Sequence, residues 1–366
     1  NVLVGVEPRR RGLLDEEAAH RRTREVLAEF GHPEIQPDTP VNRLPIAARQ
    51  VVEICRAIAG RARVVLMDEP TSSLQRADVD RLFTLIRRLS EQGVAIVYIS
   101  HKLEELMQVG DHITVLRDGR VVAHAETTEI DVPWIIEQMV GRSPASLFSR
   151  TEHDVGEVLL EAKDITLPRV GGGFLIDHVS LKVHAGEILG MYGLMGAGRT
   201  ELMEVLAGIR PEARGEILLE GHDIASAKVA DRIDAGVVLV PEDRKTVGLV
   251  PTLSVAHNMV LASLKRYLSR FYLSPGKEKD AIAGMIEDLS VRVADPRNSI
   301  DSLSGGNQQK VVVAKGLLTE PRVLLLDEPT RGIDVGAKSE VFQIMSRLAA
   351  EGFGIVFVSS ELKEVM

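Results

Sequence analysis

Cysteine is almost missing from this chain: 366 residues contain one, Cys55. A single thiol excludes an internal disulfide, and a reducing, cytosolic setting is the simple reading. Cys55 falls in the apolar stretch Val51–Ala59 and reads as core. Aromatic residues are scarce at 4% against 45% apolar overall, so the core is aliphatic, as in α/β layers. No apolar run reaches the ~18 residues that span a bilayer, and nothing near Asn1 resembles an export signal. A basic surplus is missing too. The net charge is −9, which argues against nucleic acid as the main partner. The short runs Arg9–Arg11 and Arg61/Arg63 read as solvated surface.

What the chain does contain is a long repeat. Leu66–Thr71 (LMDEPT) recurs as Leu325–Thr330 (LLDEPT), and Tyr98–His101 recurs as Phe357–Ser360. Asp68 and Asp327, Leu44 and Leu303, His101 and Ser360 each stand 259 residues apart. A period this long marks a duplicated domain, since solenoid units span about 20–50 residues. The expected domains are 1–148 and 156–366, joined by a polar linker over Gly141–Asp154. The offset puts the first copy's counterpart of the glycine loop at Gly193 before Asn1. The first copy also runs well past Met107, the counterpart of Met366. The expectation is a chain truncated at both ends.

In the second copy, Glu157–Ala162, Val179–Val183, Glu187–Tyr192, Gly236–Val240, Val323–Leu326 and Gly354–Val358 read as strands. Thr200–Ala207 and Val335–Glu351 read as helices stopped by Gly208 and Gly352, and residues 254–292 carry helical spacing. In the first copy, strands at Arg63–Met67 and Val94–Ser100 flank a helix over Asp78–Gln92. A hairpin signal at Asp118-Gly119 and a helix from Pro133 to Val140 follow. Apolar strands alternating with helices predict an α/β fold with a mostly parallel sheet covered on both faces.

Gly193–Thr200 (GLMGAGRT) has the spacing of a phosphate-binding loop, with Arg199 where Lys is usual. Gly193, Gly196, Ala197 and Gly198 let backbone N–H groups approach phosphate oxygens, and the following helix adds the positive end of its dipole. The Thr200 hydroxyl is placed to hold Mg²⁺. Arg199 keeps the charge, but its planar fork does not reproduce a compact ammonium. The bland alternative, a ligand-free glycine turn, sits poorly with the strand–loop–helix context and the acids downstream.

Each copy has an apolar strand ending in Asp-Glu-Pro-Thr. Asp68 and Asp327 can orient Mg²⁺, and Glu69 and Glu328 can polarise an attacking water. Leu303–Lys310 (LSGGNQQK) opens a helix 24 residues before Asp327. Its Ser304 cap with Gly305 and Gly306 forms a second anion-binding helix start. Leu44–Gln50 (LPIAARQ) holds the same place before Asp68, but the hydroxyl and both glycines are gone. Pro45 lacks an N–H, and the side chains of Ile46 and Ala47 hinder close approach. His101 ends the strand after Glu69, where an imidazole can bridge γ-phosphate and water. Its counterpart Ser360 holds no positive charge.

Together these residues resemble a tandem ABC-type ATPase over essentially the whole chain. The pattern is closer still to the fused ATP-binding subunit of bacterial monosaccharide importers of the ribose, galactose, xylose and arabinose type. The motifs that carry it are Gly193–Leu202 (GLMGAGRTEL), Pro241–Val250 (PEDRKTVGLV) and Asp327–Lys338 (DEPTRGIDVGAK). The resemblance implies two P-loop ATPase domains with helical subdomains, binding ATP and Mg²⁺ head to tail. It assigns Asp68, Glu69 and His101, with Ser304–Gln308 in trans, to a hydrolytic site whose phosphate loop is missing here. Gly193–Thr200, Asp327 and Glu328, facing Pro45–Arg49, form a degenerate site. Pro45 departs even from the family's usual Ser.

The resemblance further implies a peripheral protein on the cytoplasmic face of the membrane. Its partners are transmembrane permease subunits, contacted by Pro241–Arg244 and residues 254–265, and an extracytoplasmic sugar-binding protein. ATP closes the two halves and hydrolysis parts them. Three alternatives stay open. One is import of a nucleoside or a signalling sugar. Another is a soluble tandem ABC ATPase acting on ribosomes or DNA, which the short linker and unequal sites disfavour. The third is a non-hydrolysing structural subunit, since the 366-residue piece alone is expected to turn over little ATP.

Overall fold

The computed structural model describes the chain apart from residues 61, 72–73, 101, 118, 142–154, 170, 194–195, 270–271 and 366. It divides into two compact units, Asn1–Gly141 and Arg142–Met366. The expected linker lies, from residue 142 on, outside the described residues. No helix among the described residues is long and apolar enough to cross a membrane.

The first unit opens with a small antiparallel hairpin, β1 (Arg9–Arg10) and β2 (Leu13–Leu14). Helix α1 (Glu16–Glu29) follows, capped by Asp15, whose carboxylate accepts from Ala18 N at 3.0 Å. Helix α2 (Ile46–Ala59) starts after Pro45 with no side-chain cap. These helices and α3 (Arg76–Glu91) share a core with a parallel pair, β3 (Val64–Asp68) and β4 (Ala95–Ile99). Cys55 lies inside that core, and burial pushes its thiol up to about 12, with Glu29 adding to the shift. The other sheet face is open: Val64, Leu66, Val97 and Ile99 are exposed. A smaller core around Ile113, Val115 and Ile135 joins α4 (Leu103–Val109), the hairpin of β5 (His112–Arg117) and β6 (Arg120–Glu126), and α5 (Val132–Val140). Asp131 caps α5, Pro133 sits in its first turn and left-handed Gly141 ends it.

The second unit runs β7 (Val158–Pro168), β8 (Phe174–His184), β9 (Ile188–Tyr192), α6 (Arg199–Leu206), β10 (Arg214–Leu219), β11 (His222–Asp223), α7 (Val229–Ala235) and β12 (Val237–Val240). It continues through α8 (Val255–Val260), the hairpin of β13 (Leu268–Ser269) and β14 (Tyr272–Leu273), α9 (Pro275–Asp288), α10 (Gly305–Leu317), β15 (Val323–Asp327), α11 (Val335–Ala350), β16 (Gly354–Ser359) and α12 (Leu362–Val365). A parallel sheet has the order β12-β15-β16-β9. Its central strands β15 and β16 are buried on both faces, which is why they read as unbroken apolar runs.

The mostly parallel expectation needs correction. A second four-stranded sheet, β11-β10-β7-β8, is antiparallel. Strand β7 alternates buried and open positions, as a sheet with one solvated face does. Val323, Leu325, Val356 and Val358 pack with this sheet and α6. Leu324, Leu326, Ile355 and Phe357 fill the core on the opposite side, with α10 and α11. Nor is 254–292 continuously helical. The β13–β14 hairpin separates α8 from α9, and Pro275 can only open the latter helix.

The 259-residue offset persists in backbone detail. Glu69 N donates to Ile99 O at 2.9 Å, and Glu328 N to Val358 O at 3.0 Å. Both glutamates are left-handed, at φ 48° and 46°. Thr71 Oγ1 donates to Glu105 and Thr330 Oγ1 to Glu364, each at 2.7 Å. What differs is the cover on the sheet: Leu66 is 73% exposed and its counterpart Leu325 0%. In this 366-residue chain, Leu325→Ala should therefore cost about 2–5 kcal/mol, and Leu66→Ala under about 0.5 kcal/mol. Urea unfolding of the two variants checks the difference.

Candidate active site

Strand β9 delivers the chain to the glycine loop. Gly196 and Gly198 take φ of 80° and 84°, and a Cβ on Gly198 would sit 2.5 Å from Leu175 O. Glycine is thus forced there by the neighbouring strand as well as by the turn. Leu194 and Met195 lie outside the described residues. Helix α6 begins at Arg199, so its first N–H groups face the loop. The Arg199 guanidinium turns toward the strand ends: Nη1 donates to Ser359 O at 2.7 Å and pairs with Glu328 Oε1 at 3.2 Å.

Strands β15 and β16 bring the remaining groups to the same place. Asp327 and Glu328 are both buried. Glu328 Oε2 accepts from Ser360 Oγ at 3.1 Å, so both oxygens of this carboxylate are engaged, one by Arg199 and one by Ser360. Burial pushes the Asp327 carboxyl above the usual range, and the Glu328 charge adds to this. A hydrogen bond from Thr200 and the Arg199 charge oppose it. Asp327 Oδ1 is buried without a hydrogen-bond partner. A hard divalent cation satisfies such an oxygen, and one carboxylate with one hydroxyl is the sparse protein donor set that suits Mg²⁺ on a phosphate ligand. Arg199, Thr200, Asp327, Glu328 and Ser360 are thus brought together.

The helix start at Ser304 is built differently from its counterpart at Pro45. Ser304 Oγ accepts from Asn307 Nδ2 at 3.0 Å. A Cβ on Gly306 would lie 2.5 Å from Ala337 Cβ, so this glycine seats α10 against α11. Gln308 turns inward, its Nε2 donating to Ile300 O at 3.4 Å and Leu303 O at 3.3 Å. In the first unit, Glu69 is half-buried and Asp68 exposed, while His101 lies outside the described residues.

Two supporting residues escape motif reading. Glu364 Oε2 accepts from Thr330 Oγ1 and Ser359 Oγ, at 2.7 and 2.6 Å, tying the turn after Glu328 to the end of β16. Glu105 does the same in the first unit, through Thr71 and Tyr98. Their shared offset was the available signal. Arg244 is the other: it donates to Arg331 O at 2.9 Å and Gly332 O at 3.2 Å, bracing the same turn.

A glycine loop at a helix start, backed by buried acids on adjacent parallel strands, defines a P-loop nucleotide-binding cassette. Residues 176–331 match the family model described as ABC transporter. The ribose import ATP-binding protein of Chromobacterium violaceum is 43% identical over 366 residues, covering 100% of this chain and 72% of that protein. The xylose import ATP-binding protein of Brucella abortus is 43% identical over 372 residues, with the same coverage. The dimeric structure of a bacterial ABC transporter cassette aligns with a TM-score of 0.51 at 20% identity, covering 57% of this chain and 90% of its own. The chain belongs to the ATP-binding proteins of ABC transporters.

The raised Asp327 carboxyl has a consequence for stability. Between the ordinary Asp range and the raised folded value, the folded, nucleotide-free protein binds a proton there more strongly than the unfolded chain, so stability falls as pH rises across that interval. Asp327→Asn should raise the melting temperature at pH 7 without Mg²⁺ or nucleotide. The gain should vanish below the ordinary Asp range. Calorimetry across that pH interval reads both.

Proposed function

We propose that this chain is the ATP-binding, ATP-hydrolysing subunit of a bacterial monosaccharide importer, carrying two ABC ATPase domains, 1–148 and 156–366, with unequal sites. The observation that carries the reading is the doubled Asp-Glu-Pro-Thr turn. One scaffold occurs twice at one offset, with different chemistry around it. The names of the relatives, which import ribose and xylose, supply the substrate class. A separate permease and an extracytoplasmic sugar-binding protein complete the system, and this chain works at the cytoplasmic face of the membrane.

In the second unit, Gly193, Gly196, Ala197 and Gly198 bind phosphate through backbone N–H groups. Thr200 and Asp327 would hold Mg²⁺, which neutralises phosphate charge. Glu328 is a poor base because its oxygens are committed to Arg199 and Ser360. In the first unit Asp68, Glu69 and His101 take the metal, base and γ-phosphate roles. In the second unit Ser304, Gly305 and Gly306 supply a further helix start for phosphate oxygens. Val64, Leu66, Val97 and Ile99 match the residues that α6 and the antiparallel sheet cover in the second unit. We read this open face as the seat of the phosphate-loop layer that the first site requires.

The test is reconstitution of the full importer in vesicles. Binding protein loaded with ribose, xylose or galactose should stimulate ATP hydrolysis well above the unloaded form. Stimulation by a nucleoside-loaded protein alone, or none with any ligand, contradicts the sugar reading.

A further inference from the structure

Glu105 and Glu364 hold the same place in the two units, yet the cation beside each comes from a different element. In the first unit Lys102 Nζ pairs with Glu105 Oε1 at 3.2 Å and donates to Thr71 O and Oγ1, each at 3.3 Å. In the second, Lys338 Nζ pairs with Glu364 Oε1 at 2.9 Å and with Glu361 Oε1 at 2.6 Å. By the 259-residue offset, Lys102 corresponds to Glu361, and Lys338 to Val79. The lysine thus follows the strand end in one copy and rides on a helix in the other.

The two carboxylates explain why a cation is kept. The side chains of Glu105 and Glu364 are 14% and 7% exposed, and a charge so buried is costly unless paired. Glu105 Oε2 also accepts from Thr71 Oγ1 at 2.7 Å and from the Tyr98 hydroxyl at 3.0 Å. Burial pushes the Tyr98 phenol above its usual range and the Glu105 charge adds to this, so the phenol stays a donor. Burial works against the charge on Lys338, but its hydrogen bonds to Glu361 and Glu364 more than offset that and raise it above the usual range.

The position of the cation decides what it ties together. Lys338 lies on α11, so it staples the segment after β16 to that helix. Lys102 follows His101 directly in the chain, and its backbone N donates to Ser100 Oγ at 3.0 Å. Its ammonium reaches straight to Thr71, in the turn after Glu69. The strand end that leads to His101 and the turn that carries Glu69 are closed onto each other by a charge-assisted contact. In the second unit an acid, Glu361, stands in that place.

We propose that Lys102 is a positioning residue for ATP hydrolysis, holding the His101-bearing end of β4 against the turn that follows Glu69. The inference rests on the assignment of hydrolysis to the first unit. Lys102 acts through Glu69 and His101: a base and a γ-phosphate ligand that share one water must keep their separation closely.

The test uses the full-length ATPase with its permease in vesicles, reading kcat, KM for ATP and melting temperature. Lys102→Met keeps the length of the side chain and removes the charge. It should lower kcat about tenfold or more while KM moves less than about twofold. Lys102→Glu should lower kcat further. Adding Val79→Lys to it transplants the second unit's arrangement and should return most of the lost rate. Wild-type kcat in Lys102→Met, alongside a Glu69→Gln protein that has lost turnover, overturns the positioning role alone. Turnover that survives Glu69→Gln overturns the assignment of hydrolysis to the first unit, and this role with it. A Lys102→Met effect confined to melting temperature or to KM marks a merely structural contact and overturns the proposal. So does a folded Val79→Lys/Lys102→Glu protein that is no faster than Lys102→Glu.

Discussion

The hydrogen bond from Glu328 N to Val358 O at 3.0 Å fixes where the chemistry of the second unit can occur. It extends the pairing of β15 with β16 by one residue beyond Asp327 and forces Glu328 into a left-handed conformation. That conformation is uncommon for a non-glycine residue and is held only where the surroundings over-determine it. The surroundings here are two strands buried on both faces. Asp327, Glu328, Ser359 and Ser360 then end side by side, opposite the start of α6. The equivalent bond in the first unit, Glu69 N to Ile99 O at 2.9 Å, builds the same corner on a sheet that is open on one face.

One substitution in the loop alters what that corner can do. A lysine would place a compact charge on a flexible stem, whereas Arg199 offers a planar fork with several donors. One of those donors, Nη1, reaches both Ser359 O and Glu328 Oε1. Ser360 takes the remaining carboxylate oxygen. The glutamate that a hydrolytic site needs facing water is instead part of the frame. Arg199 and Ser360 thus hold Glu328 through two independent contacts, an ion pair and a hydroxyl hydrogen bond.

Much of this was legible in the sequence because it is carried locally. The glycine loop, the acid-ended strands and the 259-residue offset depend on short patterns that tertiary context only reinforces. The antiparallel sheet was not legible as such: β7 and β8 were read as short strands, and their charged open face hid the length and partners of each. The β13–β14 hairpin hid inside helical spacing, since two-residue strands leave almost no periodicity. The Arg199 contact to Ser359 joins residues 160 apart, so only the fold could reveal it. Gln308 looked like a ligand by motif, yet its amide is spent on two carbonyls beneath the helix start. Glu105 and Glu364 were findable, since both recur at the offset, but no motif drew attention to them.

The central claim is that the two acid-ended strands do unequal work, and ATP hydrolysis by the full-length protein with its permease tests it most directly. The account predicts that Glu69→Gln lowers turnover by about two orders of magnitude or more, as loss of a general base does, while Glu328→Gln leaves most of it. Equal losses from the two substitutions would contradict the account, because Arg199 and Ser360 would then fail to take Glu328 out of the reaction.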